Sequence, residues 1–241
     1  MANLTQLRLL ENLNAFLLVD KPLGIAFSTV IKVVKRKFNL VKVGHAGSLD
    51  TAASGLMVLL INDANKYVSN VMGADREYEG RMRLGVKTDT HDINGRILSE
   101  TPLAGDEESK LRDDAFLKEF KGDVFQTESR YCSVKKEGSA TYEVADTGEH
   151  SVFMAHVYRF DVTSFESPYV SFELKATKGL IVRTLVNDIG EALGCSAALD
   201  SLRRKKVGKF SVEDAIAFEK LLETDIKDFS SCVIPLSEAL R

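Results

Sequence analysis

Residues Gly44 to Gly55 read Gly-His-Ala-Gly-Ser-Leu-Asp-Thr-Ala-Ala-Ser-Gly, a run of small residues with one carboxylate, Asp50, and one imidazole, His45. The glycines let the backbone turn sharply and let a bulky partner approach. A carboxylate in such a loop can act on a substrate, because little around Asp50 would block one. Taken alone, Asp50 reads more readily as a turn or helix-cap carboxylate. His45 has no second ligand at metal spacing, so no metal site is expected there. Two further residues stand out. Arg183 falls at the start of a predicted helix, where a cation opposes the helix dipole and so calls for some other reason. Tyr78 falls in an alternating stretch, Glu77 to Leu84, that puts Tyr78, Gly80, Met82 and Leu84 on an inner face.

The elements that must position these residues are legible in outline. Ala15 to Asp20 is an apolar run closed by Lys21-Pro22-Leu23-Gly24, a buried strand and a turn. Ser28 is placed to cap a helix running to Phe38, with Val30, Ile31, Val34 and Phe38 on one side and lysines on the other. After the loop, Leu56 to Ile61 predicts a fully buried strand, and Ala64 to Met72 an amphipathic helix. A helix is predicted over Leu111 to Phe120, and strands over Val152 to Phe160 and Val170 to Ala176. Gln126 to Gly148 is polar without clear period and predicts a long exposed excursion. A helix with Leu185, Val186, Ile189 and Leu193 on one side is closed by Gly194. Ser211 and Asp214 resemble a capping box opening a last helix. Strands and helices mix without strict alternation, which predicts a mixed, largely antiparallel sheet.

Composition narrows the class. The chain has 241 residues, 44% hydrophobic and 28% charged, as in an ordinary soluble protein. No apolar run reaches a membrane span, and Met1 to Glu11 lacks the apolar core of a secretion signal. Three separated cysteines, Cys132, Cys195 and Cys232, form no C-x-x-C pair, so neither a zinc site nor a disulfide framework is expected and a reducing cytoplasm fits. The net charge of −3 argues mildly against a nucleic-acid coat but leaves room for local basic patches. Two are present: Lys32, Lys35, Arg36, Lys37 and Lys42 before the loop, and Arg203, Arg204, Lys205, Lys206 and Lys209 later. Each reads by itself as a solvated face.

The loop resembles the active-site signature of TruB-type tRNA pseudouridine synthases, G-H-x-G-[TS]-L-D-x-x-A-[TS]-G, and further blocks follow in that family's order over roughly Phe16 to Phe210. Leu18 to Gly24 resembles its V-D-K-P-x-G. Glu77-Tyr78 stands at its active-site tyrosine, and Leu84 to Gly95 is similar to L-G-x-x-T-D-T-x-D-x-x-G. Lys178 to Leu185 stands at K-G-T-Y-I-R-T-L, followed by Leu193-Gly194-Cys195 and Leu202-Arg203-Arg204. The departures are Ile181 for Tyr, Leu180 for Thr, Thr51 for Pro, a missing Pro-Pro after Gln126, and Asp146 for Arg. The chain also stops near Arg241, where many relatives continue into a small RNA-binding domain.

The resemblance implies a mixed α/β (α+β) pseudouridine synthase fold, with flanking helices and an active-site cleft across the sheet. It implies one catalytic domain over residues 1–241, with an RNA-gripping excursion at about 123–150 and a C-terminal helix and tail over 211–241. The implied reaction is isomerisation of uridine-55 in the T arm of tRNA, without cofactor or metal, by a cytoplasmic monomer. Asp50 would be the nucleophile, Arg183 its charge partner, and Tyr78 the residue stacking on the target base. His45 would fill the gap left by the flipped nucleotide and Leu202 would pack on the base. Lys21, Arg204 and Lys205 are assigned to substrate binding. Acidic residues in and beside the excursion (Glu128, Glu137, Glu143, Asp146 and Glu149) leave phosphate contacts to the two basic clusters. The alternative is an RNA-binding or tRNA-folding protein that kept the scaffold and lost turnover. Two other motifs fail: Gly44-His45-Ala46-Gly47 resembles a KH-type G-x-x-G, but a buried strand follows where a helix is required. Thr90 to Gly95 resembles a calcium loop, but the position for its last ligand is Thr101 rather than Glu.

Overall fold

The computed structural model describes residues 12–127, 131–136, 139–144 and 152–239. Glu128, Glu137, Asp146 and Glu149, expected to make the excursion acidic, lie outside them. The chain divides into two compact units, Met1–Arg76 with Arg203–Arg241, and Glu77–Leu202.

In the first unit, Ala15–Lys21 forms β1 and Ala53–Ile61 forms β3, paired antiparallel with Leu17 opposite Leu59. Every residue from Leu56 to Ile61 is buried, which is why this strand reads as a continuous apolar run instead of an alternation. Between them lie helix α1 (Phe27–Lys37) and the short β2 (Val43–His45), which pairs with β3. Helix α1 buries Val30 and Val34 and leaves Lys32, Lys35 and Arg36 outside, as the pattern predicts; Ala26, not Ser28, stands at its N-cap. The predicted helix after β3 is a 3-10 turn over Asn62–Tyr67 followed by α2 (Val68–Met72).

In the second unit, β4 (Arg76–Leu84, of which Glu77 onward belongs here) alternates as expected, with Met82 and Leu84 buried and Glu79 and Arg81 exposed. A small ladder follows, β5 (Val86–Thr88) with β6 (Ile97–Glu100). The helix expected over Leu111 to Phe120 is instead two single-turn helices, α3 (Glu107–Leu111) and α4 (Asp114–Lys118). Asp113 makes the break, because its side chain accepts from the Ala115 N–H and so caps a new helix rather than continuing the old one. The excursion is partly regular, which its side chains conceal because backbone pairing does not need a side-chain period. Gly122–Thr127 is β7, and β8 (Tyr131–Lys136) pairs antiparallel with β9 (Ser139–Val144). The long β10 (Val152–Glu166) joins β7 on one side and β11 (Tyr169–Ala176) on the other, both antiparallel. Helix α5 (Val182–Leu193) buries Leu185, Val186, Ile189 and Leu193 and ends at Gly194 with φ +82°, the left-handed cap that Gly favours.

Strand β12 (Ala197–Val207) leads from the second unit's residues into the first unit's. There β13 (Phe210–Ser211) turns back on it, β14 (Ile216–Ala217) adds to β1 in parallel, and β15 (Ile234–Pro235) adds to β1 antiparallel, with α6 (Phe218–Glu223) and α7 (Leu236–Ala239) beside them. Ser211 caps only a 3-10 turn over Val212–Asp214, so the helix predicted to open there begins instead at Phe218 and is followed by one more. The architecture is the expected mixed α/β one with a large, mainly antiparallel sheet. Among the described residues no helix is long and apolar enough to cross a membrane.

Candidate active site

Asp50 is exposed, while Ala46 and Leu49 before it are buried. The loop is tied down on both sides: Ala46 N–H donates to Val58 O (2.9 Å), Ala53 N–H to Asp50 O (3.1 Å), and Gly24 N–H to Thr51 O (2.9 Å). Gly55, at φ +104°, is required by a close approach, since a Cβ there would stand 2.4 Å from the backbone oxygen of Arg204. The backbone therefore presents the Asp50 carboxylate on a fixed base. His45 ends β2 half-buried, its ring tilted against Phe27 at 5.1 Å between centroids.

Two residues assigned to substrate binding are placed inside the first unit instead. Lys21 is 0% exposed, and its ammonium donates to Pro22 O (2.9 Å) and Ile25 O (2.8 Å), so it serves the turn that follows β1 and not a phosphate. Burial pushes its pKa down to about 8, with Asp50 opposing that shift and Arg204 adding to it. Arg204 is 2% exposed; its guanidinium donates to the carbonyls of Leu56 (2.8 Å), Ser48 (2.9 Å) and Gly47 (3.4 Å). The consecutive charges at 203–206 conceal this, because successive strand residues face opposite sides. Arg203 forks onto Asp20 (3.0 and 2.7 Å), and half-buried Lys205 lies 3.4 Å from Glu213. Lys206 and Lys209 remain exposed.

In the second unit, Tyr78 and Leu202 are half-buried and pack against the same core cluster, which includes Met82, Leu174 and Val182. Arg183 sits in the first turn of α5, 8% exposed. Near it, His91 is held below the usual imidazole pKa, by burial first, with Asp188 opposing and Arg183 adding to the shift. His91 belongs to the Thr88–Asp92 loop, fixed by Thr88 Oγ1 donating to Asp92 O (2.8 Å) and by Leu199 N–H donating to His91 O (2.9 Å). Sequence reasoning missed Gln126, which is 3% exposed. Its amide accepts from Ile181 N–H (2.9 Å) and donates to Ile181 O (3.2 Å), so it grips the peptide two residues before Arg183. No local spacing could signal a partner 55 residues away. Among the described residues no group of three or more His, Cys, Asp or Glu is placed to hold a metal.

Comparison with known proteins gives one answer. Residues 35–182 match the family model of the TruB family pseudouridylate synthase (N terminal domain), and residues 183–241 match that of the tRNA pseudouridylate synthase B C-terminal domain. The tRNA pseudouridine synthase B of Opitutus terrae is 36% identical over 232 residues, 95% of each chain. That of Pseudomonas aeruginosa is 35% identical over 219 residues, 89% of this chain and 70% of the relative. Among solved structures, an archaeal box H/ACA sRNP Nop10-Cbf5 complex has a chain that superposes with a TM-score of 0.67 at 21% identity. The match covers 96% of this chain and 62% of that one, a likeness of fold. The chain belongs to the TruB family of pseudouridylate synthases, which isomerise uridine in RNA.

Proposed function

We propose that this chain isomerises uridine-55 in the T arm of tRNA to pseudouridine, with Asp50 as the nucleophile. The reaction breaks the N1–C1′ bond of uridine, turns the base, forms the C5–C1′ bond, removes the proton from C5 and leaves one on N1. A carboxylate can carry such a glycosyl transfer, as it does in glycosidases. Arg183 is the charge partner of Asp50 in this reading. Tyr78 stacks on the flipped base and takes part in removing its C5 proton, Leu202 packs on the base, and His45 fills the gap in the RNA. Flipping costs a few kcal/mol, which stacking and hydrogen bonds offset. On this reading one catalytic domain acts as a cytoplasmic monomer and draws on no cofactor. Phosphate contacts come from the exposed cations of α1 and from Lys205, Lys206 and Lys209.

The observation that carries this reading is the exposed Asp50 carboxylate on a loop whose flanking peptides are held. Its test is to incubate the protein with unmodified tRNA transcript and map pseudouridine chemically, beside Asp50→Asn. The parent should modify position 55, and the variant should bind tRNA almost as tightly without turnover. Pseudouridine elsewhere would revise the substrate. Tight binding without any product from the parent would favour the RNA-folding reading, and an active Asn variant would remove Asp50 from its role.

A further inference from the structure

A loop of small residues cannot hold its own shape, because it has few side chains with which to pack. Asp50 lies in one, and a misplacement of about 1 Å in a reacting group can cost about 100-fold in rate. Something must therefore fix the peptides that precede it. A guanidinium is well suited to hold them, since it offers five donors in a planar fork, never loses its charge, and when buried must find acceptors for those donors.

Two buried guanidiniums meet the loop from within the first unit. Arg204 of β12 donates to the carbonyls of Gly47 and Ser48, and also to Leu56 on the strand that leaves the loop. Arg76, 5% exposed, donates to Ala46 O (3.4 Å) and to Ala74 O. Three successive carbonyls, Ala46 to Ser48, thus point at cations, and Asp50 follows two residues later. The fit leaves little slack. A Cβ on Gly47 would lie 3.2 Å from Arg76 Nη2, and that glycine holds φ +102°. The backbone of Arg204 itself is closed against Gly55. One residue therefore spans both ends of the segment that carries the carboxylate.

We propose that Arg204, assisted by Arg76, is a positioning residue for the isomerisation, fixing the Ala46–Ser48 peptides and through them the place of the Asp50 carboxylate. The proposal rests on the reading of Asp50 as nucleophile, and Asp50→Asn in parallel keeps the two apart. If Asp50→Asn turns over like the parent, that reading fails whatever Arg204 does. With Asp50→Asn inactive, Arg204→Lys is decisive, because an ammonium keeps the charge but cannot fork to three carbonyls. Single-turnover and steady-state rates are measured on tRNA, per folded molecule, with folding checked by circular dichroism and thermal midpoint. The expected result is a kcat lowered about tenfold or more with KM for tRNA within about twofold. Arg76→Lys should lower kcat by a smaller factor, about threefold, since its bond to the loop at Ala46 is 3.4 Å where Arg204 donates to both Gly47 and Ser48. Parental kcat in folded Arg204→Lys overturns the proposal, because a purely structural role would lower the thermal midpoint and leave turnover per folded molecule alone. If Arg204→Lys does not fold, Arg76→Lys decides by the same measure. Failure of both to fold would assign the arginines to folding and overturn the proposal as well.

Discussion

The Asp50 loop and the turn before Arg183 place opposite charges by opposite means. Asp50 is exposed, and the peptides before it are gripped by two buried arginines. Arg183 is itself buried, and the peptide of Ile181 is gripped by the neutral amide of Gln126. The choice of holder follows from what each holds. A guanidinium offers several donors to backbone carbonyls, whereas a cationic holder beside a buried arginine would add repulsion to desolvation. The shift at His91 obeys the same rule, because burial and Arg183 together favour its neutral form. Two of the loop's glycines stand against these arginines: a Cβ would meet Arg76 Nη2 at Gly47 and the backbone of Arg204 at Gly55.

The largest expected effect, beyond loss of Asp50 itself, comes from Arg183. Arg183→Met keeps the apolar stem and removes the charge, and should lower kcat by about 100-fold or more. Because Asp50 is exposed rather than sealed in a closed pocket, the accompanying loss of stability should stay under about 2 kcal/mol. Arg183→Lys should recover little of the rate, lacking the planar fork. Near-parental turnover in a folded Met variant would break the comparison, since Arg183 would then take no part in the chemistry.

Gln126 sharpens it. Gln126→Leu should leave the Ile181 N–H without the partner it has here, while the Ile181 C=O keeps the Thr184 and Leu185 N–H groups, at a cost of about 1–3 kcal/mol. If the grip exists for the sake of Arg183, kcat should also fall, about tenfold, with KM little changed. Lost stability with parental kcat would make Gln126 a holder of the fold alone.

Lys21 gives a smaller effect with a definite sign. Its folded pKa of about 8 lies below the value near 10.4 expected of the unfolded chain. Between those values the unfolded state binds more protons, so this group's contribution to stability rises with pH; below about 8 both states hold the proton and the contribution is flat. The stability difference between parent and Lys21→Met should therefore move in the parent's favour as pH rises from 8 to 10, by at most about 1.4 kcal/mol per pH unit. Denaturant titrations across that window test it, and a difference independent of pH would show that Lys21 keeps its ordinary affinity for protons.

What the sequence made legible follows from what each interaction depends on. The residues proposed for the chemistry sit in local patterns: Asp50 among small residues, Tyr78 in a clean alternation, Arg183 at a helix start. The strands β1, β3 and β11 and helix α5 are also locally encoded, by apolar period and by the closing Gly194. The holders are not. Arg204 and Gln126 work through backbone carbonyls and a peptide that lie 148 to 157 and 55 residues away, and backbone acceptors carry no residue identity for a pattern to reveal. Charge adjacency misled in the same way, by making Arg204 read as one more member of a surface cluster.

The same correction reshapes the expected grip on RNA, where the smallest effects lie. Of the later basic cluster, Arg204 is engaged by carbonyls, Arg203 by Asp20, and Lys205 stands near Glu213. On α1, by contrast, Lys32, Lys35 and Arg36 face outward. Each phosphate contact contributes about 0.7–0.9 to the slope of log affinity against log salt. Lys32→Ala with Lys35→Ala should therefore flatten that slope by about 1.4–1.8 and weaken tRNA binding. Lys205→Ala should flatten it by less than a full contact, because Glu213 already neutralises part of that charge. Neither change should alter kcat at saturating tRNA, since both act on the grip on RNA and not on the reacting carboxylate. Affinities measured across a salt series for the parent and both variants decide the order. A larger flattening from Lys205 than from the α1 pair would move the RNA grip to β12. Three parallel lines of equal height would take both clusters out of the interface.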